Sequence, residues 1–348
     1  MLQFPSRSTR LRPSWRIAAG SLGLAAATAL AACGSAAASG SSPDASPSAT
    51  SVSGTANVAY AGSLQALMEE TVGPAFASAT GASYQGQGGG SDAVSQEIAS
   101  GEITPNVFLS VGPSPITELE PKFTSWYAQL ASSPIVVAYS PKGTYGAQLT
   151  KIAKGKLPKA DLFKLMAKPN FVLGRTDPNT DPQGQAFYEM VQAAQKYYHL
   201  PKGTAKKILG PLDNPKQAFE EESLESYLQS GQLDASSSYQ SVAIQDHLHY
   251  IKLPDALNFG NPKDSKVYHG YTIKLDDGTK VHGVLTAVDA TTIGTTDSQA
   301  ATAFVTYLLS KPGRADFKKA GYTLLTPTVI GKNAPKQVTS AVKNAAKG

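Results

Sequence analysis

Several chemistries are missing from this chain of 348 residues. A single cysteine, Cys33, leaves no partner for a disulfide within the chain. No G-x-S-x-G occurs, so the exposed serine of a nucleophile elbow is absent. The histidines are His199, His247, His249, His269 and His282. His247-x-His249 sets two imidazoles on one side of a strand, half of a metal site, but no Cys or carboxylate pattern completes it. Surface histidines are the simpler reading. Asp276-Asp277-Gly278 lacks the further ligands of a calcium loop and reads as a turn. Long Lys/Arg blocks are missing as well. Lys202, Lys206 and Lys207 come nearest and read as solvated surface, not as the basic face that nucleic acid requires. Neither catalysis, a metal, a cofactor nor a nucleic-acid partner is expected on these grounds.

What is present begins with an export signal. Arg7, Arg10, Arg12 and Arg16 precede an uncharged apolar stretch, Ile17 to Leu30, of 14 residues. That is too short for the ~20 residues that span a bilayer and fits a signal-peptide core. Leu30-Ala31-Ala32-Cys33-Gly34 then resembles a bacterial lipobox. The resemblance implies cleavage before Cys33 and lipid on that residue, which would anchor the chain at the outer face of the cell membrane. Loss of residues 1–32 removes four arginines and no acid, lowering the net charge from +5 to +1. Residues 33–54 are rich in Ser, Ala and Pro and read as a flexible tether. The 294 residues from Thr55 onward are enough for two lobes with a substantial core.

Along that part, Asn57–Gly62 reads as a strand entering a helix at Ser63, with Leu64, Leu67, Met68 and Phe76 as its buried stripe. Ser83–Gln87 is a second strand, followed by Gly88-Gly89-Gly90-Ser91-Asp92 and a helix carrying Val94 and Ile98. Glycines and then a serine at a helix start offer several N–H donors and one hydroxyl to a single anion. Read alone, Ser91 is a helix cap. Val107–Gly112 is a third strand. Three early strands thus end in small polar residues, where ligands collect in open α/β sheets. Ile135–Tyr139 and Phe171–Gly174 are further strands. Asp181-Pro182 is an N-cap followed by proline at the first helical position. Leu233–Ser237 is a weak strand leading to Tyr239, and Tyr271–Leu275 with Lys280–Leu285 reads as a hairpin. Arg314–Ala320 is the last clear helix.

The ordered pieces Ala61-Gly62-Ser63-Leu64, Gly90-Ser91, Asp177 to Gly184, Gly231 to Asp234 with Tyr239 to Ala243, and Phe304 to Gly313 resemble the extracellular molybdate/tungstate-binding proteins of ABC importers. The resemblance covers roughly residues 56–325. It implies an α/β, two-lobe type II periplasmic-binding-protein fold with the ligand in the cleft between lobes. Lobe one would take 55–134 plus 248–348, and lobe two 135–247. Ser63 and Ser91 match the two serine ligands of one lobe. Asp181, Pro182, Gln183 and Gly184, with Tyr239, match the contributions of the other. The implied partners are molybdate or tungstate and a membrane permease, with the protein acting as a monomer.

Both anions are fully ionised at neutral pH, so the site needs donors and no acceptors; hydroxyls and helix N-terminal N–H groups suffice. The glycines at 88–90 would give clearance for a small, bare anion, and Ser91 would be a cap whose hydroxyl and N–H also face it. One departure matters. Family members with a six-coordinate metal carry a Glu just before the tyrosine, where this chain has Ser238. A lone carboxylate ~4 Å from a dianion would be repelled by about 8 kcal/mol at an effective dielectric of 20. Asp181 therefore either coordinates the metal or turns away as a cap, and the cap is favoured. Sulfate, thiosulfate or phosphate binding on the same fold is the nearest alternative. A lipid-anchored surface enzyme or adhesin is the alternative of another class.

Overall fold

The computed structural model describes residues 52–294 and 299–347. The expected signal peptide, Cys33 and the tether up to residue 51 lie outside the described residues. Among the described residues, no helix is long and apolar enough to cross a membrane.

The larger of two main sheets starts with three parallel strands, β1 (Thr55–Ala61), β2 (Ser83–Gly89) and β3 (Val107–Val111), with β1 in the middle. Beyond β3 it continues antiparallel through β11 (Ala287–Thr292), β4 (Trp126–Ser132) and β12 (Thr323–Gly331). Successive residues of a strand face opposite sides, and helices cover both sides here. Val58, Tyr60 and Leu109 join the core that holds Phe76 and Phe304, whose rings meet edge-on at 5.0 Å. Ala59 and Phe108 face the other way, onto Val94, Ile98 and Ile116. That double covering explains why β1 and β3 read as nearly continuous apolar runs. The helix after β1 carries the expected stripe of Leu64, Leu67, Met68 and Phe76, all buried. It opens as a tight 3-10 turn at Gly62–Leu64 and widens to a π-segment at Met68–Val72 before Gly73–Thr80. Pro74, which cannot donate to a carbonyl one turn back, stands where the widened turn ends.

The smaller sheet has the order β6-β7-β5-β8, with β5 at Ile135–Tyr139, β6 at Leu173–Gly174, β7 at Ala235–Tyr239 and β8 at His249–Lys252. The helix Pro182–Tyr197 packs against β5 and β7. The helix Glu221–Ser230 covers Ala138 with Leu224 and Leu228. Because β8 is hydrogen-bonded along β5, the smaller sheet runs past the expected boundary at residue 247. The hairpin β9 (Thr272–Lys274) and β10 (Lys280–His282) forms around Asp276–Thr279, where Gly278 takes φ +93° and Asp277 Oδ1 accepts the Thr279 N–H at 2.7 Å. A helix at Lys336–Ala345 follows the one at Lys311–Lys319, so Arg314–Ala320 is not the last.

Candidate functional site

Ser63 lies in the 3-10 turn that follows β1. Its side-chain oxygen is buried without a hydrogen-bond partner. Its carbonyl accepts from Tyr322 Oη at 3.2 Å, which ties the turn to the chain just before β12.

Ser91 departs from expectation. Gly90, at φ −57° and ψ 131°, is the N-cap of the helix Ser91–Ser100, and Ser91 is its first helical residue with no capping bond from a side chain. The Ser91 oxygen instead accepts the N–H of Val111 at 3.2 Å, linking the helix start to the end of β3. The N–H groups of Ser91 and Asp92 sit in the first turn, where no intrahelical acceptor exists. The third, from Ala93, reaches across to the Thr180 carbonyl at 3.2 Å.

The space beside two of the glycines is taken by protein. A Cβ at Gly88 would meet the Tyr60 ring at 2.8 Å, and one at Gly90 would lie 2.7 Å from the Thr180 carbonyl oxygen. They permit close approach of protein to protein, with Gly90 letting the Ser91 helix touch the loop before Pro182.

That loop ends as its sequence predicts. Asp181 has extended backbone angles, caps the helix through Oδ1 accepting the Gln183 N–H at 2.7 Å, and is followed by Pro182 at the first helical position. Its carboxylate is buried. Gln183 is committed on both sides of its amide: Oε1 accepts from Ser237 Oγ and Nε2 donates to Glu221. Gly184 is needed for backbone approach, since a Cβ there would stand 2.6 Å from the Thr176 carbonyl oxygen. The buried Arg175, just upstream, spends its guanidinium on the carbonyls of Thr176, Pro211 and Leu212.

Tyr239 closes β7 at the head of the helix Gln240–Gln245. It is 2% exposed and its hydroxyl has no hydrogen-bond partner. Burial pushes the phenol well above its ordinary value, and the charges of Asp181, Glu221 and Asp92 push the same way. It is therefore a neutral donor at every physiological pH.

A cavity of about 250 Å³ has Ser63, Gln183 and Ser236 to Ser238 on its wall together with the carboxylates of Glu70, Glu221, Glu225 and Asp246, and no Lys or Arg. It falls below the roughly 300–1,000 Å³ of pockets that take drug-sized ligands. Ser91, Asp181 and Tyr239 are not on this wall. They are buried, Ser91 and Asp181 where the Ser91 helix meets the loop at Thr180. Sequence reasoning missed Asp92, Gln185, Glu221 and Tyr322. Only Asp92 carried a signal, being adjacent to Ser91. Burial first, then Glu118 and Asp181, push the Asp92 carboxyl up to about 7, against a lowering by its bond from Gln185. Among the described residues no group of three His, Cys, Asp or Glu side chains is arranged to hold a metal ion. His249 rests against the Tyr139 ring at 5.6 Å.

Two α/β sheets with buried donors gathered at strand ends define a type II periplasmic-binding-protein architecture. The Azotobacter vinelandii periplasmic molybdate-binding protein shares the fold, with a TM-score of 0.52 at 20% identity over 79% of this chain and 99% of that one. So does the sulfate-binding protein SubI of Mycobacterium tuberculosis, with 0.51 at 12% over 85% and 91%. The chain belongs to the bacterial extracellular solute-binding protein family, which it matches over residues 56–323. It is 29% identical over 230 residues to a putative ABC transporter molybdenum-binding protein of Haloferax volcanii, covering 66% of this chain and 69% of that one. It is 26% identical over 248 residues to the molybdate/tungstate-binding protein WtpA of Pyrococcus abyssi, covering 64% and 69%.

Proposed function

We propose that this protein captures a small tetrahedral oxyanion, molybdate or tungstate, outside the cell and delivers it to an ABC permease, held at the membrane by lipid on Cys33. What supports this reading is that Ser63 Oγ, just after β1, and Tyr239 Oη, at the end of β7, are among the buried hydroxyls without partners, and both match the ligand positions that the resemblance implies. An unpaired buried hydroxyl costs about 1–3 kcal/mol, a cost that an arriving acceptor removes. Ser91 Oγ retains its own proton to donate, and the N–H groups of Ser91 and Asp92 in the first turn of that helix add donors and a favourable dipole. The names of the Haloferax and Pyrococcus relatives support the choice of anion. Hydrogen bonds to a charged group contribute roughly 1.5–3 kcal/mol each, so five to seven can reach the ~12 kcal/mol of nanomolar binding after closure costs. In this reading Asp181 stays a cap, and the lobes follow the two sheets, with lobe two ending after Lys252.

A second reading draws on the buried carboxylates of Asp92 and Asp181, which suit a partly protonated oxyanion such as phosphate better than a bare dianion. Sulfate and thiosulfate share the shape. Calorimetric titration of the full chain with molybdate, tungstate, sulfate and phosphate at fixed pH separates these. Nanomolar binding of molybdate or tungstate with weak sulfate and phosphate is the expected result. Tighter phosphate binding would move the assignment to the second reading, and no binding of any of the four would overturn both.

A further inference from the structure

Ser91 and Asp181 each begin a helix, and those two helix starts are held together by side chains that neither helix needs. Gln185, in the first turn of the Pro182 helix, donates from Nε2 to Asp92 Oδ2 at 2.7 Å and from the same nitrogen to the Pro178 carbonyl at 3.1 Å. One amide group therefore spends both hydrogens joining the Ser91 helix to the loop ahead of Asp181. The Ala93 N–H bond to the Thr180 carbonyl at 3.2 Å runs alongside. Gly90 brings the backbones this close. Asp92 is buried and forms no ion pair among the described residues, so an amide, not a cation, is what holds its carboxylate. The Ser91 helix packs on β1, β2 and β3 of the larger sheet, whereas the Pro182 helix packs on β5 and β7 of the smaller one. The contact thus joins helices that pack on different sheets, which the oxyanion reading above assigns to different lobes.

We propose that Asp92 and Gln185 are positioning residues that form a clasp across the cleft, holding the two anion-facing helix starts together and setting how long the anion stays bound. The inference rests on the oxyanion reading above. Breaking a hydrogen bond to a buried carboxyl group leaves polar atoms unpaired, at a cost that opening must meet. Neither side chain needs to touch the anion. Opening breaks the Gln185–Asp92 and Ala93–Thr180 bonds together, so the clasp acts on release more than on the shape of the site.

The test uses the full chain loaded with radiolabelled molybdate or tungstate and chased with excess unlabelled anion, with hydrogen exchange followed at the Ala93 amide. Gln185→Leu and Asp92→Ala should each speed release by about tenfold or more and raise exchange at Ala93. Asp92→Asn keeps an acceptor for Gln185 and should recover most of the slow release that Asp92→Ala loses. Melting temperature identifies any variant that is merely misfolded, and Gln185→Leu, at a half-buried position, is the variant on which the result turns. If the unmutated protein binds the anion tightly and both Gln185→Leu and Asp92→Ala release it within twofold of that rate, the clasp is wrong and the oxyanion site stands. If the unmutated protein binds none of molybdate, tungstate, sulfate or phosphate, the oxyanion reading falls and the clasp falls with it.

Discussion

The side-chain oxygen of Ser91 accepts the amide hydrogen of Val111 across 3.2 Å, joining the start of a helix to the end of a neighbouring strand. Its own proton is thereby directed elsewhere, and in the proposed reading the hydroxyl is acceptor to the fold and donor to the anion at once. Ser91→Ala should fail in both respects. Affinity for the anion should drop by about 1.5–3 kcal/mol, or roughly 10- to 150-fold. The Val111 N–H loses its partner, so chemical denaturation should show a stability loss of about 1–3 kcal/mol.

Tyr239→Phe should separate those two effects. The hydroxyl is buried and has no acceptor in the protein, so its removal costs the empty fold nothing and relieves an unsatisfied group. Thermal melts without ligand should be unchanged or slightly higher, while titration should show a loss of about tenfold or more. Equal affinity in both proteins would remove Tyr239 from the site.

Asp181→Asn tests whether that carboxylate works on the helix or on the ligand. Asn caps as well as Asp, and the bond to the Gln183 N–H needs only an acceptor. Affinity is expected to stay within a few-fold by calorimetry. A loss of several hundredfold would show that Asp181 coordinates the ligand's central atom directly. Asp181→Ala should instead cost about 1 kcal/mol of stability through the lost cap.

Stability should fall as the solution becomes more alkaline. Asp289 is fully buried in β11 and receives one hydrogen bond, from Gln129 Nε2 at 3.3 Å. Burial pushes its carboxyl up to about 8, and that of Glu189 to about 8 as well. A raised carboxyl holds its proton in the fold after the unfolded chain has lost it. Its contribution is complete below about 4, the ordinary carboxyl range, and is lost as pH rises through the folded value. Melting temperature should therefore decline between about pH 4 and 8. Asp289→Asn, which has no proton to lose, should flatten that decline.

Much of this architecture was legible because it is local. The stripe of Leu64, Leu67, Met68 and Phe76 follows helical spacing, Asp181-Pro182 is a cap written in two residues, and Asp277-Gly278 turns a hairpin through a side-chain bond and a positive φ. Other elements left weaker traces. β7 reads Ala-Ser-Ser-Ser-Tyr, so no apolar alternation marks a strand that is nonetheless wholly buried, its Ser237 hydroxyl paired with Gln183. β12 carries Pro327 and a shift of register between Leu324 and Thr328 against β4, which blurs its pattern.

The sequence by itself determined the early strand-to-helix order and the Asp181-Pro182 cap, because those depend on neighbours within a turn or two of helix, and ordered motifs along residues 56–325 carried the resemblance to the family. Only the tertiary structure decided what each of those residues does. Gly90, not Ser91, is the cap; Gly88 makes room for a tyrosine ring and Gly90 for a carbonyl; Gln183 is bound up with Ser237 and Glu221; Gln185 meets Asp92 of a helix that packs on the other sheet. A hydroxyl or amide accepts whichever partner the fold brings within about 3 Å, and those partners come from chain segments that no local pattern connects.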